Sequence, residues 1–267
     1  MIKNANYDAY ASIEKISSYE NKEALVKYRN SRLVKYQSLV NFLTAKTLIS
    51  SPISVVEIGS GSSALLYALV QKKLLRKGLG IELSQSRYQF AELWKLDDSY
   101  DMVQNVNANF TGVDTGLSLW DWFIIIDNTF TYLHPEDVNY PTLLLSKAYQ
   151  SLKKNGRLLI DFFNYSKRIP EIDYRQWQAY SKDDPYSYGL YSQKINDGIN
   201  CCESIFIRRN GSESRKLEYS KTYTLDELSI LLESCGFSIQ EIFSTFNQQP
   251  FIEKESERLV IVANKIT

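Results

Sequence analysis

The sequence predicts an α/β fold: a largely parallel sheet with helices on both faces and an antiparallel β lid inserted late in the chain. Two observations support this prediction. From Ile53 onward, short apolar runs alternate with helical patterns, as strands joined by crossover helices do. Residues 164–221 then interrupt the alternation with a polar, tyrosine-rich stretch. Its turn signals, Asn196-Asp197-Gly198 and Asn210-Gly211, lie between strand-like runs and predict hairpins.

The strands of the expected sheet are short apolar runs. They are predicted at 53–58, 78–82, 102–106, 122–127 and 157–163, with two final strands at 238–246 and 258–263. Helices are expected between them, at about 62–73, 86–96 and 140–152, and Gly156 is interpreted as the stop signal of the last one. A capping box, Thr224-Leu225-Asp226-Glu227, opens a late helix that Cys235-Gly236 ends.

Four segments follow from this pattern. Residues 1–50 form an N-terminal helical segment, since apolar residues recur at helical spacing around Leu33 and Leu39. Residues 51–163 form the core, 164–221 the inserted β lid, and 222–267 return to the core.

Composition restricts the class of protein. Among the 267 residues, Lys plus Arg number 31 and Asp plus Glu number 31, so no global basic footprint for nucleic acid exists. Residues 1–30 are polar and charged, which argues against a signal peptide, and the apolar runs are too short to span a bilayer. The 3 cysteines form no disulfide or metal framework. We expect a cytoplasmic monomer or homodimer without metal, membrane or nucleic-acid partners.

The first candidate binding motif joins a strand to a helix. Glu57 lies near the end of the first apolar run, and Gly59 and Gly61 follow it. Glycines let the backbone approach a ligand closely, and the next helix offers free N–H groups. A carboxylate at Glu57 would repel a pyrophosphate but suits a cationic ammonium or sulfonium group. The inferred ligand is S-adenosylmethionine.

A second acidic residue supports that ligand. Glu82 ends the second predicted strand about twenty residues past the glycines, the spacing at which an acidic side chain binds ribose hydroxyls. The alternative is that Glu82 only caps the helix that starts near Ser84.

These motifs resemble those of class I S-adenosylmethionine-dependent methyltransferases over about residues 50–265. The segments that carry the resemblance are Glu57–Gly61, Glu82, Val106–Asn109, Asp121–Asn128, Leu152–Ile160 and Tyr223–Phe237. The resemblance implies a Rossmann-like sheet of seven strands, mostly parallel with the last strand antiparallel, and S-adenosylhomocysteine as the product. It also implies a set of cofactor-binding residues: Arg32, Glu57, Gly59, Gly61, Glu82, Leu83, Asn107, Ala108, Asp127 and Asn128.

Within that family, the local likeness is to the branch around glycine N-methyltransferase and the amino-sugar N-methyltransferases. It is carried by 128–133 and 160–165, and by Arg32, which resembles an arginine that holds the methionine carboxylate. Three positions depart from the pattern. Ser63 replaces a glycine and is expected to cap the helix, and Asn107 replaces an acidic residue but keeps a carbonyl acceptor for the adenine amino group. Phe163 stands where an arginine would bind the carboxylate of glycine, which argues against glycine as the substrate.

The candidate catalytic residues follow the ends of strands four and five, where ligands of parallel sheets bind. They are Tyr132, His134 and Tyr165, with Asn128 and Asp161 also near the expected methyl group. His134 is the sole histidine and would suit a general base, but its surroundings also fit an ordinary loop. The tyrosines would orient the acceptor.

The expected acceptor is a small molecule methylated on nitrogen or oxygen. No Asn/Asp-Pro-Pro-Tyr motif ends strand four, which disfavours nucleobase amino groups. The mixed charges at 208–218, including Glu213 and Glu218, are interpreted as a solvated hairpin. The alternatives are a methyltransferase that acts on a protein or RNA partner, and a non-catalytic adenosylmethionine-binding module.

Overall fold

The structure is a computed structural model that describes residues 21–47, 52–132, 139–168, 174–179, 186–196 and 198–266. Its helices are α1 (Lys22–Lys35), α2 (Gln37–Lys46), α3 (Ala64–Gln71), α4 (Gln85–Asp98), α5 (Asn139–Ser151), α6 (Tyr165–Arg168) and α7 (Leu225–Ser234). Its strands are β1 (Ile53–Ile58), β2 (Leu75–Glu82), β3 (Val103–Asn107), β4 (Trp120–Ile125), β5 (Leu152–Phe163), β6 (Tyr174–Ala179), β7 (Tyr186–Asn196), β8 (Ile199–Arg208), β9 (Glu213–Lys221), β10 (Phe237–Phe243) and β11 (Arg258–Lys265). Short 3-10 helices cover Phe110–Gly112 and Thr129–Tyr132.

The main sheet has seven strands in the order β10-β11-β5-β4-β1-β2-β3. Strands β1 to β5 pair in parallel, and β11 is antiparallel to both β5 and β10. The predicted Rossmann-like sheet with an antiparallel last strand is therefore confirmed. The carboxyl ends of β1, β2 and β4 meet at one edge, where a ligand site is expected.

Apolar side chains cover both faces of this sheet. Alternate residues of β1 point to opposite sides, so Val55 lies in one core cluster and Val56 in the other. The first cluster contains Leu39 of α2, and the second contains Leu228 of α7. Every residue of β1 is buried, as expected for a central parallel strand covered on both faces. No helix in the described part of the chain is long and apolar enough to cross a membrane.

A second, antiparallel sheet follows β5 in the chain, in the order β6-β7-β8-β9. Both predicted hairpins are present, since β7 pairs with β8 and β8 with β9. Strand β9 packs against the 3-10 helix that follows β4, and the Tyr165 hydroxyl lies 3.4 Å from Ser220 Oγ. This sheet therefore lies beside the carboxyl ends of β4 and β5.

One predicted stop signal is wrong. Helix α5 ends at Ser151 and β5 begins at the next residue, so Gly156 lies within the strand. The register between β4 and β5 shifts there, from Trp120 opposite Leu152 to Trp122 opposite Arg157. A Cβ on Gly156 would lie 2.9 Å from the Trp120 carbonyl oxygen. The glycine therefore permits a close backbone approach and does not end the helix. The capping box of α7 is present as predicted, and Gly236 adopts φ +85° after the helix.

Candidate functional site

The turn between β1 and α3 forms the floor of the site. Gly59, Gly61 and Ser63 all have positive φ, at 67°, 56° and 57°. The N–H groups of Gly59 and Ser60 donate to the Ile81 carbonyl, which ties the turn to β2. A Cβ on Gly59 would lie 2.6 Å from the Thr129 side chain. Glycine at this position lets the turn pack closely against the segment after β4.

Ser63 corrects the expected cap. It occupies the N-cap position of α3, but its side chain makes no capping hydrogen bond. The Ser63 hydroxyl instead donates to Asn105 Oδ1 at 2.6 Å. Because the backbone of Ser63 is in the left-handed conformation, its side chain points towards β3. The N–H groups in the first turn of α3 therefore receive no hydrogen bond from the Ser63 side chain.

Glu57 is the least compensated group of the site. It is 2% exposed, and its Oε2 has no hydrogen-bond partner among the described residues. Burial raises the pKa of this carboxyl, and the charges of Asp127 and Glu82 raise it further, while Arg32 opposes them. The hydroxyl of Ser62 in the adjoining turn is likewise buried without a described partner. A buried carboxylate in this state favours a cationic or hydrogen-bond-donating ligand.

Glu82 joins two elements at the end of β2. Its Oε2 accepts from the Gly61 N–H at 2.7 Å, and its Oε1 accepts from the Ser84 N–H at 2.8 Å. The N-cap acceptor of α4 is Ser84 Oγ, which receives the Arg87 N–H. Glu82 therefore contacts the start of α4 without being its cap. Each of its oxygens has a further lone pair for a hydroxyl donor.

The end of β3 adds a polar acceptor and an apolar surface. The Asn107 side-chain amide donates to the carbonyls of Glu82 and Leu83, which leaves its Oδ1 as an acceptor. The Ala108 N–H also donates to the Glu82 carbonyl. Leu83 is 43% exposed, so an apolar side chain lies uncovered beside these polar groups.

The end of helix α1 contacts the turn after β4 at Asp127. The Tyr36 hydroxyl donates to Asp127 Oδ2 at 3.0 Å, and Lys35 Nζ lies 3.3 Å from the same oxygen. Arg32 Nη2 donates to the Tyr36 hydroxyl at 3.3 Å. Desolvation raises the pKa of Asp127, but the cations around it, Lys35 first, hold it below its ordinary value. Arg32 of α1 is thereby brought to the strand ends that carry Glu57.

A buried ion pair holds the turn after β4. Asp127 and Asn128 both have positive φ, 54° and 66°. Asp161 Oδ2 accepts the Asp127 N–H at 3.1 Å, and Asn128 Oδ1 accepts the Phe163 N–H at 2.6 Å. Arg258 donates to both oxygens of Asp161, whose side chain is 1% exposed. Sequence reasoning missed Arg258, although a lone arginine heading an apolar strand was a usable signal.

The predicted catalytic residues are divided between described and undescribed parts of the chain. His134 lies outside the described residues. Tyr165 is 2% exposed and contacts Ser220. Burial raises the pKa of Tyr132 well above its ordinary value, and Glu218 and Tyr165 raise it further. Tyr132 and Tyr165 are therefore neighbours beside the second sheet, and the raised pKa of Tyr132 keeps its phenolic proton in place at neutral pH.

The charged stretch at 208–218 forms the expected hairpin, and Arg208, Arg209, Glu213 and Arg215 are exposed, whereas Glu218 departs from the predicted solvation. It is half-buried, and after burial its charge is the largest influence on the pKa of Tyr132. Phe163, the residue in place of an arginine, lies under Arg258, whose Cζ is 5.0 Å from the ring centroid. The Arg258 guanidinium already donates hydrogen bonds to Asp161.

Comparison with known proteins gives structural likeness without sequence likeness. No family model matches the chain, and no curated protein matches it. The CcbJ methyltransferase from Streptomyces caelestis has a TM-score of 0.75 at 16% identity, over 86% of this chain and 89% of that one. An S-adenosylmethionine-dependent methyltransferase from Clostridium acetobutylicum has a TM-score of 0.74 at 14% identity, over 92% and 100% of the two chains. CalS10, an amino pentose methyltransferase from Micromonospora echinaspora, has a TM-score of 0.66 at 13% identity, over 92% and 98%.

Proposed function

We propose that this chain, which has the fold of the class I S-adenosylmethionine-dependent methyltransferases, is an enzyme of that class. Its acceptor in this proposal is a small molecule, methylated on nitrogen or oxygen. At the identities found, the likeness to solved structures carries the fold alone. The activity is therefore argued from the site.

The observation that carries the proposal is the Glu57 carboxylate, whose Oε2 has no hydrogen-bond partner among the described residues. Its Oε2 is buried beside the glycine turn, at the end of a central strand. An ionised carboxylate in that position is costly unless a cation or donor pairs with it. The ammonium group of S-adenosylmethionine is such a partner, and in this proposal Arg32, whose charge acts on Glu57, receives its carboxylate. The residues present therefore fit the methionine end of the cofactor.

The neighbouring strand ends fit the adenosine end. Glu82 offers two carboxylate oxygens to the ribose hydroxyls, and Asn107 offers a carbonyl oxygen to the adenine amino group. The exposed side chain of Leu83 supplies an apolar surface for the base. Gly59 and Gly61 give the turn beside the proposed cofactor site a positive-φ conformation that residues with a Cβ rarely adopt.

When bound, S-adenosylmethionine supplies a methyl group that its sulfonium has already activated for in-line displacement. The protein then has to position the nucleophile and exclude water. Tyr132 remains protonated because its pKa is raised, and in this proposal the hydroxyls of Tyr132 and Tyr165 orient the acceptor. His134 is proposed as a general base for an acceptor that must lose a proton.

The proposed acceptor is small because the second sheet adjoins the carboxyl ends of β4 and β5. We propose that 164–221 acts as a lid over this region. The side chain of Phe163 cannot pair with the carboxylate of glycine. Arg258, which lies over its ring, already forms an ion pair with Asp161.

Calorimetry with S-adenosylmethionine and S-adenosylhomocysteine tests the cofactor, and mass spectrometry of a metabolite panel tests the acceptor. We expect both ligands to bind, and methyl transfer to occur to a panel member other than glycine or sarcosine. Absence of binding would contradict the whole proposal. Binding with rapid glycine turnover, or with transfer only to protein or RNA, would contradict the acceptor.

A further inference from the structure

The turn between β1 and α3 contains three residues with positive φ, and the third of them is not a glycine. Gly59 and Gly61 have φ of 67° and 56°, and Ser63 has φ 57° with ψ 23°, the left-handed helical conformation. A residue with a Cβ adopts this conformation at a cost that glycine does not bear. The Ser63 side chain makes no capping hydrogen bond to α3 that would offset the cost. Its conformation therefore has to be stabilised from elsewhere in the fold.

The stabilising contact comes from β3, which is separated from β1 by one strand. The Ser63 hydroxyl donates to Asn105 Oδ1 at 2.6 Å. Strand β2 lies between β1 and β3, and its residue opposite Asn105 is Gly80. A Cβ on Gly80 would lie 2.9 Å from Ser63 Oγ and 2.8 Å from Ser60 Oγ. The space that Gly80 leaves above β2 therefore lets the Ser63 hydroxyl reach β3.

The side-chain amide of Asn105 is held in one orientation. Its Nδ2 donates to Glu92 Oε1 at 2.8 Å and to the Tyr67 hydroxyl at 2.9 Å. That hydroxyl in turn donates to the Ala91 carbonyl at 2.7 Å, and burial raises the pKa of Tyr67, so its proton stays in place. Because a carboxylate only accepts hydrogen bonds, the amide nitrogen has to face Glu92 and Oδ1 has to face Ser63. Asn105 therefore presents a fixed acceptor to the Ser63 hydroxyl.

The conformation of residue 63 determines how α3 leaves the turn. The Ser63 carbonyl accepts the Tyr67 N–H at 3.0 Å, and the Ser63 N–H donates to the Ser60 carbonyl at 2.8 Å. Gly61, two positions earlier, donates its N–H at 2.7 Å to Glu82, the residue proposed to bind the ribose. A change of φ at Ser63 would rotate the turn relative to the helix and displace these groups together. The cofactor site therefore depends on the conformation of Ser63.

We propose that Asn105 is a positioning residue for cofactor binding, because it holds Ser63 in a conformation that glycine adopts without a hydrogen bond. Asn105 acts through Ser63 and does not contact the cofactor. This inference rests on the proposed function, since it concerns the same cofactor site. Without the amide acceptor, residue 63 relaxes to negative φ in the folded, unliganded protein. The cofactor then has to restore the left-handed conformation when it binds, and its affinity falls.

The test is a cycle of substitutions that is read by the affinity for S-adenosylhomocysteine in calorimetry. Asn105→Leu removes the amide at similar size, Ser63→Ala removes the hydroxyl and keeps a Cβ, and Ser63→Gly removes both. Gln104→Leu is the matched control, because Gln104 precedes Asn105 on β3 and is exposed. Thermal denaturation establishes which variants are folded. If Asn105→Leu does not fold, the comparison of Ser63→Ala with Ser63→Gly makes the same test.

We expect Asn105→Leu and Ser63→Ala to bind S-adenosylhomocysteine about five- to thirtyfold more weakly than the wild type, the range set by the cost of a left-handed conformation. Ser63→Gly and Gln104→Leu should bind it as the wild type does. Adding Ser63→Gly to Asn105→Leu should restore the affinity, because glycine takes positive φ without the hydrogen bond. A merely structural role of Asn105 would give no such rescue.

Three results would overturn the proposal: wild-type affinity in Asn105→Leu, equal affinities in Ser63→Ala and Ser63→Gly, or a double variant that binds as weakly as Asn105→Leu. A wild type that does not bind S-adenosylhomocysteine would instead refute the proposed function.

Discussion

Replacement of Glu57 by glutamine should stabilise the protein and weaken cofactor binding at the same time. Glutamine keeps the length and shape of the side chain and removes the charge. The Glu57 carboxyl is 2% exposed and its Oε2 has no described partner, so its ionised form is disfavoured in the folded protein. The same ionised form is what an ammonium group requires.

The stability effect has a defined pH dependence. The pKa of Glu57 is raised in the folded state, by burial first and then by Asp127 and Glu82. Between the unfolded and folded pKa values the folded state binds more protons, so the free energy of unfolding of the wild type falls as pH rises through that window. The Glu57→Gln variant has no carboxyl at this position, so its free energy of unfolding should not fall in that pH window. Its advantage should be absent at acid pH and reach about 1–3 kcal/mol once the carboxyl is ionised, the cost of an unsatisfied buried polar group.

The binding effect has the opposite sign. A hydrogen bond to a charged group contributes about 1.5–3 kcal/mol, so Glu57→Gln should bind S-adenosylmethionine roughly ten- to a hundredfold more weakly at neutral pH. Chemical denaturation at several pH values measures the stability, and calorimetry measures the affinity. Glu253→Gln is the control, because Glu253 is exposed and should change neither quantity.

Glu57→Gln is expected to raise the free energy of unfolding and to lower the affinity for the cofactor, and either result can contradict the role of Glu57. A variant that is less stable than the wild type at neutral pH would show that Glu57 has a partner within the protein. Unchanged affinity of Glu57→Gln for S-adenosylmethionine would show that the ammonium group does not bind at Glu57.

Three further substitutions test the site. Glu82→Ala should weaken S-adenosylhomocysteine binding by about 1.5–3 kcal/mol in calorimetry, because an ionised acceptor is lost, and unchanged affinity would contradict ribose binding. Gly59→Ala should lower the free energy of unfolding by about 1–2 kcal/mol or more in thermal denaturation, because φ is +67° and the new Cβ would meet Thr129 at 2.6 Å; wild-type stability would contradict the turn. Arg258→Met should lower the free energy of unfolding by about 3–5 kcal/mol, because it leaves the Asp161 carboxylate buried without its cation. Adding Asp161→Asn should recover part of that loss. Additive losses would show that the two residues do not act as a pair.

Features that depend on local sequence could be predicted well. The strand of Ile53–Ile58 and the glycine turn after it follow from apolar runs and from backbone conformations that favour glycine. The hairpin turns near Gly198 and Gly211 and the capping box at Thr224 likewise depend on residues a few positions apart.

Predictions that required knowledge of a neighbour failed. Gly156 was interpreted as a helix stop because a glycine after a helical pattern usually is one, but the carbonyl of Trp120 on another strand requires it. Ser63 was expected to cap α3, but Asn105 on β3 receives its hydroxyl. Glu218 was placed in solvent because its sequence neighbours are charged, and alternation along β9 turns it inward.

The succession of strands and helices, the glycine turn and the two acidic residues at strand ends could all be predicted from the amino-acid sequence. The distant groups that complete the site became visible only in the folded chain. Tyr36 donates to Asp127, 91 positions away, and Arg258 pairs with Asp161, 97 positions away. Secondary structure is encoded in periodicity and turn chemistry over a few residues, whereas pairing across the sheet depends on which strands become neighbours. Nothing in the local pattern of β8 and β9 states which of their faces is covered by the core.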